Sequence, residues 1–250
     1  MSATDKIKVL VLGDSGVGKS SLVHLICQGQ PIANPLWTIG ATIDVKLHEY
    51  MEGTPDQKTS FIELWDIGGS RSHSMARNIF YNGFHGIILV HDLTNSKSEA
   101  NLRKWLGHVF HNKDQTIKDN NTSLNTSTLS AALFPVNPPN DEIDFDREAF
   151  FERNIPVLVV ATKRDAGHNS THRSSQRMSS FAEECGAEQM EVDCHQIRSL
   201  APGSTNAVKL SRFFDKVCER RLHNHNSFNN YLDRNRRQSS LHSNKYSHND

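Results

Sequence analysis

The segment Gly13–Ser20 holds the residues best suited to chemistry, because it fits the pattern G-x-x-x-x-G-K-[ST] without a mismatch. Glycines let backbone N–H groups point toward a phosphate, and the N-terminus of a following helix favours anions. In such a loop Lys19 reaches the β- and γ-phosphates, and Ser20 binds Mg²⁺. The segment therefore predicts a nucleoside triphosphate site. Its expected nucleotide contacts are Ser15, Gly16, Val17, Gly18, Lys19, Ser20 and Ser21.

The flanking segments predict the context that a phosphate loop needs. Ile7–Leu12 is short and mostly apolar, which is typical of a buried strand, and Ser21–Cys27 places apolar residues at helical spacing. A chance glycine turn before a helix is the alternative interpretation. That alternative leaves the matching Lys19 and Ser20 unexplained, so the strand, loop and helix together favour the phosphate site.

Two later segments add candidate ligand groups. Asp66 ends a predicted strand and precedes Gly68 and Gly69. Its carboxylate is placed to hold Mg²⁺ through the water shell of the ion, and the Gly69 N–H is placed to contact a γ-phosphate. Thr162–Asp165 follows another predicted strand, and the Asp165 carboxylate can accept hydrogen bonds from the N1–H and the 2-amino group of guanine.

The base preference follows from that carboxylate. Adenine offers neither of the two donors, so a buried carboxylate would stay unpaired at a cost of about 1–3 kcal/mol. Lys163 and Arg164 precede Asp165 in the same segment and are included in the predicted site. Asp193 and Cys194 follow a short predicted strand and are placed for a backbone contact to the base carbonyl. The sequence therefore predicts a guanine nucleotide.

The remaining elements alternate along the chain. Residues 86–90 and 155–160 are continuous apolar runs, as in central strands covered on both faces. Ile43, Val45 and Leu47 alternate with polar residues, as in a half-buried strand, and this strand and residues 61–65 predict a hairpin at a sheet edge. The predicted helices are Glu99–Phe110, Ser174–Cys185 and Val208–Arg221. Together these elements predict an α/β fold, a mostly parallel sheet with helices on both faces.

Composition sets the organisation and excludes some functions. The chain has 250 residues and equal numbers of basic and acidic side chains, 28 each, so its charge does not indicate nucleic-acid binding. Its four cysteines form no C-x-x-C pair, and no signal peptide or membrane-spanning run is evident, so we expect a cytoplasmic protein. We predict one domain over residues 1–222, with a disordered polar insertion at about 113–141 and a disordered tail over 223–250.

Further sequence segments point to a resemblance to a known protein family. Thr38–Gly40, Trp65–Asp66 and Phe80–Thr94 occur in the right order after Gly13–Ser20. With them the chain resembles the Rab branch of the Ras-superfamily small GTPases over about residues 6–220. The resemblance implies the P-loop small GTPase fold with a six-stranded sheet, GTP or GDP as ligand, and Mg²⁺ held by Ser20, Thr38 and Asp66.

The resemblance also implies partners. Two switch segments, near Trp37–Asp44 and Gly68–Phe80, are expected to change with the γ-phosphate and to present a surface to protein regulators or effectors. A role in signalling by prenylated small GTPases, a prenyl-protein chaperone as partner, and homodimer formation are further expectations from the resemblance. Thr42 is the alternative to Thr38 as the Mg²⁺-binding threonine, since residues 38–44 form a longer run than is usual in the family.

Departures from the family predict altered kinetics. Ser70 stands where Rab proteins have the glutamine that orients the attacking water, and it is too short for that task; His73 is the alternative group. We therefore assign no catalytic residue and expect slow hydrolysis. Thr162 stands where the family has asparagine, so we expect weaker affinity and faster exchange. The last cysteine is Cys218, inside a predicted helix, so we expect no direct lipid anchor.

Two other functions are consistent with these residues. One is a GTPase in vesicle traffic that cycles efficiently on its own, against which Ser70 argues. The other is a pseudo-GTPase scaffold whose nucleotide is structural. The rate of nucleotide release distinguishes a switch from such a scaffold.

Overall fold

A six-stranded sheet in the order β2-β3-β1-β4-β5-β6 forms the centre of the protein. The structure is a computed structural model that describes residues 6–119, 145–167 and 179–222. The strands are β1 (Lys6–Leu12), β2 (Ala41–Tyr50), β3 (Lys58–Ile67), β4 (Gly86–Asp92), β5 (Val157–Thr162) and β6 (Glu188–Glu191). Only the β2–β3 pair is antiparallel, and the other neighbouring pairs are parallel.

Helices cover both faces of this sheet. They are α1 (Lys19–Gln28), α2 (Ser96–Ala100), α3 (Leu102–Asp119), α4 (Arg147–Glu152), α5 (Arg164–Gly167), α6 (Ser180–Glu184) and α7 (residues 205–222). One apolar cluster joins α1 and α7 to one face of the sheet, and a second joins α3, α4 and α6 to the other. The predicted α/β fold with a mostly parallel sheet is confirmed.

The central strands explain why the loops meet at one edge. All residues of β4 and β5 are buried, which matches their continuous apolar runs. Because β1, β3, β4, β5 and β6 run in the same direction, their carboxyl ends lie at one edge of the sheet. The loops after these strands are Gly13–Gly18, the segment from Gly68, and the segments from Lys163 and Val192. This edge therefore collects the predicted site residues.

The β2–β3 hairpin lies at the sheet edge as predicted, but its burial differs from a half-buried strand with an apolar inner face. Ile43, Val45 and Leu47 are 50%, 48% and 57% exposed. The inner positions are polar instead, and His48 Nε2 lies 2.8 Å from Asp215 Oδ1 on α7. The inner face of β2 therefore contacts α7 through a polar pair, with Tyr50 buried at the end of the strand, and the apolar side chains Ile43, Val45 and Leu47 are exposed.

The helix boundaries also differ from the predicted ones. The segment predicted as Glu99–Phe110 is divided between α2 and α3, and α3 continues to Asp119, into the first part of the expected insertion. Of the segment predicted as Ser174–Cys185, the described residues contain only α6. Residues 120–141 of the predicted insertion and the tail over 223–250 lie outside the described residues. Within the described ranges, no helix is both long enough and apolar enough to cross a bilayer.

Candidate nucleotide-binding site

The loop between β1 and α1 requires glycine where it crosses β4. Gly13 has φ +150°, and a Cβ there would lie 2.1 Å from the Val90 carbonyl oxygen. The helix α1 begins at Lys19, and Gly18 at its N-cap adopts a left-handed conformation with φ +94° and has no side chain to cap the helix. The first N–H groups of α1 are thus available to an anion at this edge.

Lys19 is the buried cation of this loop. It is 6% exposed, and its Nζ donates to the carbonyl oxygens of Gly13 at 3.0 Å and Asp14 at 2.9 Å. Burial lowers the pKa of this ammonium to about 8, although the Asp66 charge opposes the shift. An ammonium held by two neutral carbonyl groups can exchange them for the stronger charge-assisted bonds of a phosphate.

Three oxygen side chains meet beside Lys19. Ser20 Oγ donates to Asp66 Oδ2 at 2.5 Å, Thr38 Oγ1 donates to the same oxygen at 3.0 Å, and the two hydroxyls are 3.0 Å apart. The second Asp66 oxygen, Oδ1, is buried and has no hydrogen-bond partner among the described residues. Hydroxyl and carboxylate oxygens are the ligands that Mg²⁺ prefers, so these residues fit that ion. Thr42 lies outside this group, on an exposed position of β2.

A cavity of about 350 Å³ opens beside this group. The predicted residues that line it are Ser15, Gly16, Gly18, Lys19, Ser20, Ser21, Thr38, Gly69 and Lys163. Val17, Asp66, Arg164, Asp165, Asp193 and Cys194 are predicted site residues that do not line it. Most of the predicted phosphate- and metal-binding residues and Lys163 are therefore brought together, whereas Val17, Asp66 and the other predicted base-recognition residues lie outside the cavity wall.

The predicted base loop is tied to its neighbours by Thr162 and Lys163. Thr162 Oγ1 bonds to the carbonyl oxygens of Val17 and, at 2.9 Å, of His91. Lys163 Nζ lies 2.6 Å from Asp92 Oδ2. Burial acts to raise the Asp92 pKa, but hydrogen bonds from Lys163 and Thr94 outweigh it and lower that pKa below its ordinary value. Lys163 is thus held at the carboxyl ends of β4 and β5.

The other predicted base residues occupy the ends of β5 and β6. Asp165 belongs to the exposed α5 turn, and Arg164 Nε lies 3.9 Å from Glu191. Asp193 Oδ1 accepts from the backbone N–H of His195 at 2.9 Å. The Cys194 thiol is buried, and burial raises its pKa to about 12, so it is not a reactive thiolate.

Several cavity residues were not predicted from the sequence. They are Pro35, Leu36 and His195; Trp37 and Ser70 also line the cavity, and the sequence placed them in the two expected switch segments but not among the nucleotide contacts. Trp37 is 83% exposed at the cavity mouth. Position in the sequence could have indicated the three missed residues, since Pro35 and Leu36 lie just before Trp37 and Thr38, and His195 follows Asp193–Cys194.

The segment after β3 packs directly on the phosphate loop. A Cβ at Gly69 would lie 2.5 Å from the Ser15 backbone nitrogen, so only glycine permits this approach. Ser70 lines the cavity, and its hydroxyl lies 2.7 Å from the Ser72 hydroxyl. His73, the alternative water-positioning group, is exposed and does not line the cavity.

This sheet, with a glycine loop, a buried lysine and three oxygen-bearing side chains at its carboxyl edge, defines the class of P-loop small GTPases. Comparison with known proteins gives the family. Residues 8–119 match the family description Roc, Ras of Complex, domain of DAPkinase. Rab-like protein 3 of Bos taurus is 47% identical over 243 residues, which cover 94% of this chain and 95% of the relative.

Further relatives agree. Rab-like protein 3 of Homo sapiens is 47% identical over 226 residues, or 88% of each chain. The Danio rerio protein of the same name is 46% identical over 226 residues, which cover 88% of this chain and 89% of the relative. The chain therefore belongs to the Rab-like protein 3 family of Ras-superfamily small GTPases.

Proposed function

We propose that this protein is a Mg²⁺-dependent guanine-nucleotide switch that hydrolyses GTP slowly and regulates signalling through protein partners. The observation that supports it best is the meeting of Ser20, Thr38 and Asp66 beside Lys19. Thr38 belongs to the first proposed switch and Ser20 to α1, so an ion held by both residues would link that switch to the nucleotide site.

Each side chain has a distinct task in this proposal. Ser20, Thr38 and Asp66 would hold Mg²⁺, and the ion would neutralise phosphate charge when bound. Lys19 and the N–H groups of the loop hold the β- and γ-phosphates. Asp165 selects guanine by accepting from its two donors, with Lys163 and the Asp193–Cys194 backbone beside the base.

Slow hydrolysis follows from the segment after Gly69. Phosphoryl transfer in this class depends on positioning of water and on charge stabilisation. The Ser70 hydroxyl is hydrogen-bonded to Ser72, and the Ser70 side chain is too short to orient a water at the γ-phosphate. His73 does not line the cavity. The protein therefore holds GTP for longer than a self-cycling GTPase would, unless a partner supplies the missing group.

The proposed partners dock on the switch surface. Leu36, Trp37 and Ile39 are 87%, 83% and 77% exposed, and Ile43, Val45 and Leu47 of β2 are exposed as well. Apolar side chains clustered on a surface mark protein interaction sites. Regulators or effectors, among them a prenyl-protein chaperone of prenylated small GTPases, and a second copy of this chain in a homodimer are the partners that we propose.

Competition for a fluorescent GDP analogue on the purified full-length chain tests the nucleotide assignment. We expect GTP and GDP with Mg²⁺ to displace the probe, and ATP to need concentrations about 5- to 150-fold higher, because Asp165 is left unpaired opposite adenine. Asp165→Asn should shift the preference toward xanthosine diphosphate, and Asp56→Asn, in the exposed hairpin turn, is the matched control. Equal displacement by ATP and GTP would contradict the proposal.

The timing of release separates the switch from a scaffold. A switch with the Thr162 loop should release GDP within minutes in excess competitor. Nucleotide that remains bound through purification and through hours of competition would favour the scaffold instead.

A further inference from the structure

The side chain of Asp14, in the phosphate loop, does not line the cavity. It accepts hydrogen bonds from Trp105 of α3 and from Asn101, the residue just before α3. Asn101 Nδ2 donates to Asp14 Oδ2 at 2.7 Å, and Trp105 Nε1 donates to Asp14 Oδ1 at 2.9 Å. Trp105 is 5% exposed and belongs to the apolar cluster on this face of the sheet. A packed helix therefore fixes the loop through both oxygens of one carboxylate.

The guanidinium group of Arg77 packs on the ring face of the same tryptophan. The Arg77 guanidinium carbon lies 4.6 Å from the ring centroid of Trp105, and the side chain is 7% exposed. Its NH2 group donates to the Ser70 carbonyl oxygen, and it also bonds to the Tyr81 side chain. A buried guanidinium thus reaches back over seven residues to hold the backbone just after Gly69.

The two ends of this arrangement meet at the phosphate loop. Gly69 is in direct contact with the backbone of Asp14 and Ser15. The charges of Asp14 and Arg77 both act on Lys19, in opposite directions, beside the larger effect of burial. Lys19 Nζ also donates to the Asp14 carbonyl oxygen, a bond that a phosphate on Lys19 would compete with.

We infer that Asp14, Trp105 and Arg77 form a positioning chain that sets the distance between the phosphate loop and the Gly69–Ser70 backbone. The inference rests on the proposed nucleotide switch. A γ-phosphate is the part of the ligand that reaches Gly69, whereas GDP ends at the β-phosphate. The chain should therefore stabilise GTP binding more than GDP binding, and none of its three side chains needs to contact the nucleotide.

A purely structural role makes a different prediction. If the three side chains only support the fold, then removing one of their bonds weakens both nucleotides by the same factor. The ratio of GTP-analogue affinity to GDP affinity is therefore the informative quantity, and coupling between the residues is measured by a double-mutant cycle.

The first variant is Trp105→Phe, which keeps an aromatic ring under Arg77 and removes the N–H that donates to Asp14, together with part of the buried ring volume. We expect this affinity ratio to fall about three- to tenfold, since one hydrogen bond to a charged group is lost. Arg103→Lys, also on α3 but paired with Glu184, is the matched control and should leave the ratio unchanged. An equal loss for both nucleotides in Trp105→Phe would overturn the inference.

The cycle uses Asp14→Asn and Arg77→Lys. If the residues act as one chain, the ratio in the double variant should be no lower than in the more affected single variant. Independent, multiplicative losses would contradict the chain. A second readout is hydrogen exchange in the nucleotide-free protein, where Trp105→Phe should speed exchange of the amides of residues 69–80, and unchanged exchange would argue against it.

Failure of this inference and of the proposed function are distinguishable. If the wild-type chain binds no guanine nucleotide, the proposed function fails and the inference fails with it. If the wild type binds GTP and GDP but the ratio is the same in Trp105→Phe, only the positioning chain is rejected.

Discussion

At the residue scale, the burial of Lys19 makes nucleotide binding dependent on pH. Burial lowers the pKa of its ammonium to about 8, below the ordinary value of 10.5. Phosphates favour the charged form, so binding above pH 8 requires proton uptake. We expect GDP affinity to be constant below pH 7.5 and to fall as the pH rises from 8 to 9, by up to about tenfold per pH unit. Fluorescence titration across this range measures it.

The same pKa shift makes the stability of the nucleotide-free protein change with pH in the opposite direction to its nucleotide affinity. Between pH 8 and 10.5 the unfolded chain binds more protons at Lys19 than the folded chain does, so the contribution of this group to stability rises with pH.

The variant Lys19→Arg is the control for the pH dependence of GDP affinity, because the arginine stays charged across this pH range. The titration of guanine itself is the same for both proteins. A wild-type affinity that matches the pH profile of Lys19→Arg would contradict the assignment.

Thr162 supports a second prediction at this scale. Its hydroxyl has one proton and faces two buried carbonyl oxygens, those of Val17 and His91. Thr162→Val keeps the shape and leaves both acceptors without that donor, so we expect the free energy of unfolding to fall by about 1–3 kcal/mol and GDP release to become faster. Denaturant unfolding and stopped-flow release measure the two effects.

Thr54→Val is the control for this substitution. Thr54 Oγ1 donates to the Met51 carbonyl oxygen at 2.8 Å in an exposed turn, where water can replace it. Its cost should stay within about 0.5 kcal/mol. Equal costs for the two variants would mean that the Thr162 hydroxyl does not tie the base loop to the phosphate loop.

At the element scale, β2 is an edge strand held to α7 by a polar contact. His48 Nε2 lies 2.8 Å from Asp215 Oδ1, and the His48 ring meets the Phe214 ring edge-on at 5.5 Å. Because β2 pairs with a strand on one side only, β3, the contact to α7 is an additional attachment of this edge. The strand β2 is therefore connected to the rest of the molecule through α7 as well as through β3.

We predict that His48→Ala loosens β2 selectively. Loss of the hydrogen bond and of the ring contact should lower the free energy of unfolding by about 1–3 kcal/mol and speed amide exchange in β2. His85→Ala, at another histidine beside the sheet, shows whether the effect is specific to this strand. No change in β2 exchange, with β3 exchange also constant, would contradict the proposed attachment.

The local sequence pattern predicted which strands and loops form, whereas contacts between residues far apart in the chain determine which faces are buried and which side chains meet. Residues 13–20, 86–90 and 155–160 identify their loop and strands by composition alone. The alternation in β2 predicts a strand but does not say which face is covered, because the partner of His48 comes 167 residues later. Likewise, Thr38 and Thr42 are equal as hydroxyls, and only the path of the chain after α1 brings Thr38 to Ser20 and Asp66.

At the scale of the whole molecule, bound nucleotide should stabilise the fold. A ligand at 100 times its dissociation constant adds about 2.7 kcal/mol to the free energy of unfolding, which corresponds to about 5–10 °C in Tm for a domain of this size. We expect this rise with GDP and Mg²⁺ and a much smaller rise when a chelator removes the ion.

Ser20→Asn provides the comparison, because it alters a proposed Mg²⁺ ligand. Its Tm with GDP should be insensitive to the chelator. A wild-type Tm that rises equally with and without the chelator would show that Ser20, Thr38 and Asp66 do not form a working metal site. Scanning calorimetry or dye fluorescence measures each case.

The exposed indole at the cavity mouth gives the molecule an optical property. Of the three tryptophans, Trp105 is buried, Trp65 is half-buried and Trp37 is 83% exposed. The red edge of the intrinsic emission therefore comes mainly from Trp37, one residue before Thr38. Ordering of this segment around a ligand would shift that edge to shorter wavelength, so the unlabelled protein carries its own spectroscopic reporter of the first switch.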